Sequence, residues 1–402
     1  MHHRRAVDVA EMARSGAHEG VGQLSPPGRH IEHTGSDDRH GTSLMDSLFS
    51  DSYLQADERF YCASNEAGAT VMSAHHPLCG PSGEALRIIV SRVGAEDAGH
   101  VVLVTSGTHG VEGYAGSAVQ TGIMGQLRES PPPRDTAVVM IHAVNPWGFA
   151  WDRRENEDNI DLFRNFIYCQ PPFSENRLYD QLNSAINPSQ WSGPARDRAE
   201  RAIAKFVAAH GHDAYIAVVR RGQHRHPRGL TYHGRGPSWS KRQVDELARR
   251  VIRPSAKVAN LEIHTSWGAL NQCLAISYAF EGTAKLERTR RWLGSPLYLP
   301  GEDPLIPPHA RTPFETLESV IEGIEVTAVV MECGTYDGDM PLDVDRHSNF
   351  IFTRGDPTST DGLFARATMR RYCYPESDAW KSIVWNTGQH IFQQLLKGVH
   401  DW

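Results

Sequence analysis

Residues 100–120 read HVVLVTSGTHGVEGYAGSAVQ. Val101 to Val104 is an unbroken apolar run rich in β-branched residues, the composition of a strand covered on both faces. Small residues and glycines follow, and Glu112 to Leu127 then spaces its apolar residues as a helix does. A buried strand that turns through glycine into a helix is the unit of an α/β sheet. The alternation continues outward on both sides. Further strands are expected at 86–93, 137–143, 214–219, 258–264, 273–280 and 325–332. Further helices are expected at 195–209, at 238–252 with Ser238 or Ser240 as cap, and at 377–399. The resulting fold class is α/β: a mixed, mainly parallel central sheet with helices on both faces.

The chain has 402 residues, with 41 Lys and Arg against 48 Asp and Glu, a formal charge of −7, 40% hydrophobic and 22% charged residues. That balance belongs to a folded globular protein and excludes collagen-like, mucin-like or wholly disordered chains. The mild acidic excess argues against nucleic acid or an anionic membrane surface as partner. No run approaches the roughly 20 apolar residues of a membrane span. Residues 1–44 lack any periodic apolar pattern and are expected as a disordered tail, with 45–402 as a single domain. The six cysteines, at 62, 79, 169, 273, 333 and 373, form no CxxC pair. They are expected as reduced thiols in a cytoplasmic protein.

Four places carry residues suited to chemistry. His109 and Glu112 stand three apart on a glycine-rich turn directly after a strand, where ligands collect in open α/β sheets. Imidazole nitrogen and carboxylate oxygen together suit zinc. The motif occurs once and is neither HExxH nor HxxEH, which sets aside the helical zinc arrangements. His264 ends the apolar stretch NLEIH and would complete a His, Glu, His set with one open position, the pattern of catalytic rather than structural zinc. Glu332 ends the strand EVTAVVME, where a buried carboxylate costs several kcal/mol unless paired or protonated. Residues 145–166, NPWGFAWDRRENEDNIDLFRNF, hold Arg153, Arg154, Asp161 and Arg164 among aromatics. Three arginines in one polar loop suit a carboxylate or a polarised carbonyl.

In chain order the four places resemble the zinc metallocarboxypeptidase family, the carboxypeptidase A/B-like clan, and most of all its bacterial branch known as a domain of unknown function. The matching residues are His109 and Glu112, then Asn145-Pro-Trp-Gly, then Asp161-Leu-Phe-Arg-Asn-Phe166, then His264, then Glu332. The resemblance spans most of residues 85–340. It implies one Zn²⁺ per chain held by His109, Glu112 and His264, with Glu332 as general base and acid. Asp161 would orient His109, and Arg164 with Asn165 would bind substrate. Arg153 or Arg154, with Arg154 preferred, would face the oxyanion. Tyr336 stands in for the family's substrate tyrosine.

Two departures bear on the substrate. Phe163 replaces the asparagine that normally precedes Arg164, and Trp147 replaces the aspartate of the NPDG motif. Residues 167–250 are expected as an insertion near the active site, in which His224, His226 and His233 line or cover the pocket or, as a second option, form a further metal site. The expected function is zinc-dependent hydrolysis of an amide bond, by a carboxypeptidase-like peptidase acting on small or modified peptides. The alternatives are an N-acyl-amino-acid deacylase, similar to aspartoacylase and succinylglutamate desuccinylase, and an inactive zinc-binding recognition module. Oligomeric state is left open.

Overall fold

The computed structural model describes residues 44–294, 296–299, 311–336 and 342–402. The expected tail at 1–44 lies outside these, apart from Leu44, which opens a short helix. Seven strands form one sheet: β1 (Thr70–Cys79), β2 (Ala85–Val93), β3 (His100–Ser106), β4 (Thr136–His142), β5 (Lys257–Thr265), β6 (Cys273–Ile276) and β7 (Glu325–Cys333). Their order is β1-β2-β4-β3-β5-β7-β6. The central four, β4, β3, β5 and β7, run parallel, and the outer strands pair antiparallel.

The period-two alternation of β3 sends its side chains to two different cores. Val102 and Val104 face α1 (Tyr53–Glu66), α2 (Gly113–Glu129) and the closing helix at Asp378–Gly398. Val101 and Leu103 face the helix Trp239–Val251 and the turn at Phe314–Ser319. Apolar side chains on both faces are what the unbroken strand runs require. On the second of these faces, α3 (Leu162–Tyr168) follows the 145–161 segment, with Leu162 and Phe166 in the same cluster as Val101 and Leu103. The helices α4 (Arg177–Ile186), α5 (Pro194–His210) and α6 (His212–Arg220) carry a third apolar cluster of their own, built on Tyr179, Ile186, Ile203, Tyr215 and Val219. The chain continues through α7 (Trp239–Val251), α8 (Ala284–Leu293), α9 (Leu342–Arg354), α10 (Thr360–Cys373) and α11 (Asp378–Gly398).

Three expectations are corrected. The strand at 214–219 is helix α6, whose Tyr215, Val218 and Val219 lie on one helical face against the third cluster; a short apolar run does not distinguish strand from helix by itself. The strand at 273–280 stops at Ile276. Cys273 and Cys333 are bonded to each other, leaving Cys62, Cys79, Cys169 and Cys373 free. They stand directly opposite in the antiparallel β6–β7 register, a proximity that their separation of 60 residues conceals. The cytoplasmic expectation rests on six reduced thiols, and a bonded pair removes that support.

The topology itself selects one place for a site. From β3 the chain crosses to β4 on one side and later returns to β5 on the other. Ligands bind beyond the carboxyl ends of strands at such a reversal. The turn there is built closely: Gly107 has φ +73°, and a Cβ on Gly110 would lie 2.2 Å from the Arg153 carbonyl oxygen. That same oxygen accepts the Val111 amide at 3.0 Å. Gly110→Ala is expected to cost about 1–3 kcal/mol of stability, the usual range for overpacking. A thermal melt checks this, and an unchanged midpoint would show that the turn yields easily.

Candidate metal centre and active site

Three strand ends supply the site. His109 and Glu112 follow β3, His264 lies on β5, and Glu332 lies on β7 directly across the register from His264. All three candidate metal ligands are buried, and one donor atom from each falls within 4.8 Å of the others. Nδ1 of His109 is 3.1 Å from Glu112 Oε1, and Nδ1 of His264 is 2.8 Å from Glu112 Oε2. Among the described residues no other group of three or more His, Cys, Asp or Glu is so arranged. Two imidazole nitrogens and a carboxylate, converging with a fourth side left to the cavity, fit a catalytic divalent cation.

Each imidazole turns its other nitrogen to a carboxylate. His109 Nε2 faces Asp161 Oδ1 at 3.4 Å, and His264 Nε2 faces Glu262 Oε1 at 3.0 Å. Such backing carboxylates set the tautomer and orientation of ligating histidines. Asp161 is fully buried and also caps α3, accepting the Arg164 amide. Glu262 is fully buried and accepts the Thr108 hydroxyl at 2.8 Å. Sequence reasoning missed Glu262, although its spacing two before His264 on a strand puts both side chains on one face.

The electrostatics follow from this pairing. Burial pushes the Glu112 carboxyl up, but His109 and His264 outweigh it and hold the group well below the usual carboxylate range. Burial opposes charge on His264, but Glu262 and Glu112 overcome it and hold its imidazolium well above the ordinary value. Asp161, likewise buried, is held low by Arg164, His109 and Arg154. Glu332 differs. Burial, then the Glu112 charge, push its carboxyl up from 4.5 to about 8. Its Oε1 accepts the Trp267 amide at 3.1 Å.

A cavity of about 130 Å³ opens over these groups. It is lined by His109, Glu112, His264, Glu332, Arg154 and Arg164, with Phe163, Tyr278, Arg220 and Asp345 among its walls. Phe163 packs beside both imidazoles, its ring 6.1 Å from that of His109 and 5.7 Å from that of His264. Arg154 reaches Asp161 at 3.3 Å and His109 Nε2 at 3.1 Å. Arg164 pairs with Asp161 at 2.9 Å and donates to the Arg220 carbonyl.

The remaining sequence candidates stand elsewhere. Arg153 is buried outside the cavity lining, bonded to Asn159 and stacked over Phe352 and Trp147. Asn165 anchors the following loop, donating to the His233 and Gly236 carbonyls and accepting the Ser238 amide. Tyr336 donates to the Arg371 carbonyl and packs on Tyr372. The tyrosine on the cavity wall is Tyr278, just past β6. His224 and His233 pack ring to ring, while His226 pairs with Asp180.

Two outcomes are expected. Glu262→Gln weakens metal affinity by about 10–100-fold, as loss of a backing carboxylate does, measured by competition with a chelator; unaltered affinity would show that Glu262 does not support His264. For Glu332 the folded value lies above the unfolded one, so the stability it lends is full below about pH 4.5 and is lost as pH rises to about 8. Metal-free Glu332→Gln is therefore expected to melt level with metal-free wild type near pH 4.5 and above it at pH 8 and beyond. A difference in melting that stays flat across that range would mean another group carries the proton.

No curated protein matches the sequence. Among solved structures, the chain is similar to a candidate succinylglutamate desuccinylase/aspartoacylase family protein from Shewanella amazonensis, at 17% identity and TM-score 0.33, covering 75% of this chain and 72% of that one. It is similar to a candidate metallopeptidase from the same organism, at 14% identity and TM-score 0.36, covering 79% and 92%. It is also similar to thrombin activatable fibrinolysis inhibitor, at 12% identity and TM-score 0.40, covering 89% and 79%. The family described as protein of unknown function (DUF2817) matches residues 49–387, most of the sequence, and the chain belongs to that family.

Proposed function

We propose that the protein is a zinc-dependent hydrolase that cleaves an amide bond in small peptides, in the manner of a carboxypeptidase. The observation that carries the reading is the convergence of His109, Glu112 and His264 beneath a cavity that Glu332 also lines. Zinc bound there would polarise the amide carbonyl and lower the pKa of water. The protein's own groups do the rest. Asp161 and Glu262 keep the two imidazoles in one tautomer. Glu332 takes the proton of the attacking water and returns it to the leaving amine. Arg154 receives charge that develops on the carbonyl oxygen. Arg164 binds the substrate carboxylate with its fork of donors. Phe163 covers the imidazoles from one side and keeps the site dry, which strengthens each of these interactions.

A second reading rests on the same Phe163. A carboxypeptidase site would hold a second polar group beside Arg164, and Phe163 supplies none. That departure motivates N-acyl amino acids as the alternative substrate. Release of acetate or succinate from N-acyl amino acids, without cleavage of peptides, would establish the deacylase instead.

Metal analysis by mass spectrometry and a turnover assay test the main reading together. One zinc per chain is expected, lost in His264→Ala and kept in Glu332→Gln. Glu332→Gln is expected to lose about 10²–10⁴-fold in kcat, the usual contribution of a general base. Turnover by that variant at the wild-type rate would remove Glu332 from the mechanism, and a protein that takes up no zinc would end the zinc-hydrolase reading.

A further inference from the structure

The cavity has an acid that the chemistry above does not use. Asp345 lies in the first turn of α9 and lines the same cavity as Arg154 and Arg164. Its neighbour Asp343 is spent on the fold, paired with Arg346 and with Arg196 at 2.8 Å. Asp345 has neither an ion pair nor a hydrogen bond among the described residues. The charges it feels most strongly are those of Arg154, Glu155, Arg220 and His109. Burial pushes its carboxyl up from 3.8 to about 7. A carboxylate at a helix N-terminus is favoured by the helix dipole, which accounts for an acid in this turn but not for one turned to a substrate cavity without a partner. A half-buried acid of this kind gains most from a cation that arrives with the ligand.

Its position relative to Arg154 identifies the cation. In a dipeptide the α-ammonium nitrogen is two bonds from the scissile carbonyl carbon. The group that receives the ammonium must therefore stand close to the group that receives the carbonyl oxygen. Asp345 and Arg154 are such a pair: both line the one cavity of about 130 Å³, and each feels the charge of the other. We propose that Asp345 receives the α-ammonium of the substrate, so that the site takes small peptides with a free amino terminus on the acyl side of the scissile amide, dipeptides above all. The proposal rests on the amide-hydrolase reading and narrows it. The cavity then holds a zwitterion end to end, with Arg164 on the carboxylate, Arg154 on the carbonyl and Asp345 on the ammonium. An acyl group that ends in a carboxylate, such as succinyl, would set like charges together at Asp345 and be rejected.

The test is binding to zinc-loaded Glu332→Gln protein, in which turnover is suppressed, by calorimetry with alanyl-leucine and with N-acetyl-alanyl-leucine. The free-amine peptide is expected to bind more tightly. Adding Asp345→Asn is expected to weaken it about tenfold or more, the scale of a lost charge pair in a desolvated site, and to leave the acetylated peptide within about twofold. Asp345→Glu is expected to restore part of the preference. Equal weakening of both peptides would mean that Asp345 acts only by holding Arg154 and would overturn the proposal, as would no change in either. If neither peptide binds even with Asp345 intact, the peptide-hydrolase reading fails and takes the proposal with it. If both bind without discrimination, the proposal fails alone.

Discussion

The site depends on one constraint: charges removed from water must be compensated where they are buried. Glu112, Asp161 and Glu262 are each at most 2% exposed. Three carboxylates so placed would be untenable without partners. They are tenable because His109 and His264 alternate with them, Asp161 to His109 to Glu112 to His264 to Glu262, each link a contact between ring nitrogen and carboxylate. That chain of contacts fixes which nitrogen of each imidazole faces inward. The same alternation that neutralises the interior therefore presents two Nδ1 atoms and a carboxylate to one point.

The sheet makes this chain of contacts affordable in backbone terms. β3, β5 and β7 are parallel neighbours, so their carboxyl ends lie on one edge and need no long loops to bring the donors together. Glu332 enters through register alone, across from His264, and its carboxyl is raised first by burial and then by the Glu112 charge, which together outweigh His264 and Arg154. The Cys273–Cys333 bond ties β6 to the residue after Glu332. The wall of the cavity that carries Tyr278 is thereby linked to the strand that carries the candidate base.

Around that centre the cavity is polar in a directed way. Arginines and an acid, Asp345, that is unpartnered among the described residues line it, and the apolar ring of Phe163 packs beside the imidazoles. The third cluster, α4 to α6, contributes Val219 and Arg220 to the wall and brings Arg164 under a backbone carbonyl. A segment with its own small core thus forms part of the cavity wall, while the sheet positions the candidate metal ligands.

The α/β class and the parallel strands were legible in the sequence because buried strands carry unbroken apolar runs, and the turn at His109 was legible because glycine marks it. His109, Glu112, His264 and Glu332 could each be named from a position at a strand end. What local pattern could not determine was which neighbours share a pocket. Arg153 and Arg154 are adjacent in sequence and alike in chemistry, yet one is enclosed by Phe352 and Trp147 and the other lines the cavity. Tyr336 lies close to Glu332 in sequence but packs on Tyr372, whereas Tyr278 arrives from another strand. The Cys273–Cys333 bond depends on antiparallel register, α6 on a cluster supplied by α4 and α5, and Asp345 on where α9 docks. The sequence alone determined the elements and the residue types at their ends, since these follow from local periodicity and backbone preference. Only the tertiary structure decided which of those side chains meet, because contacts between distant residues depend on strand order and helix docking rather than on spacing.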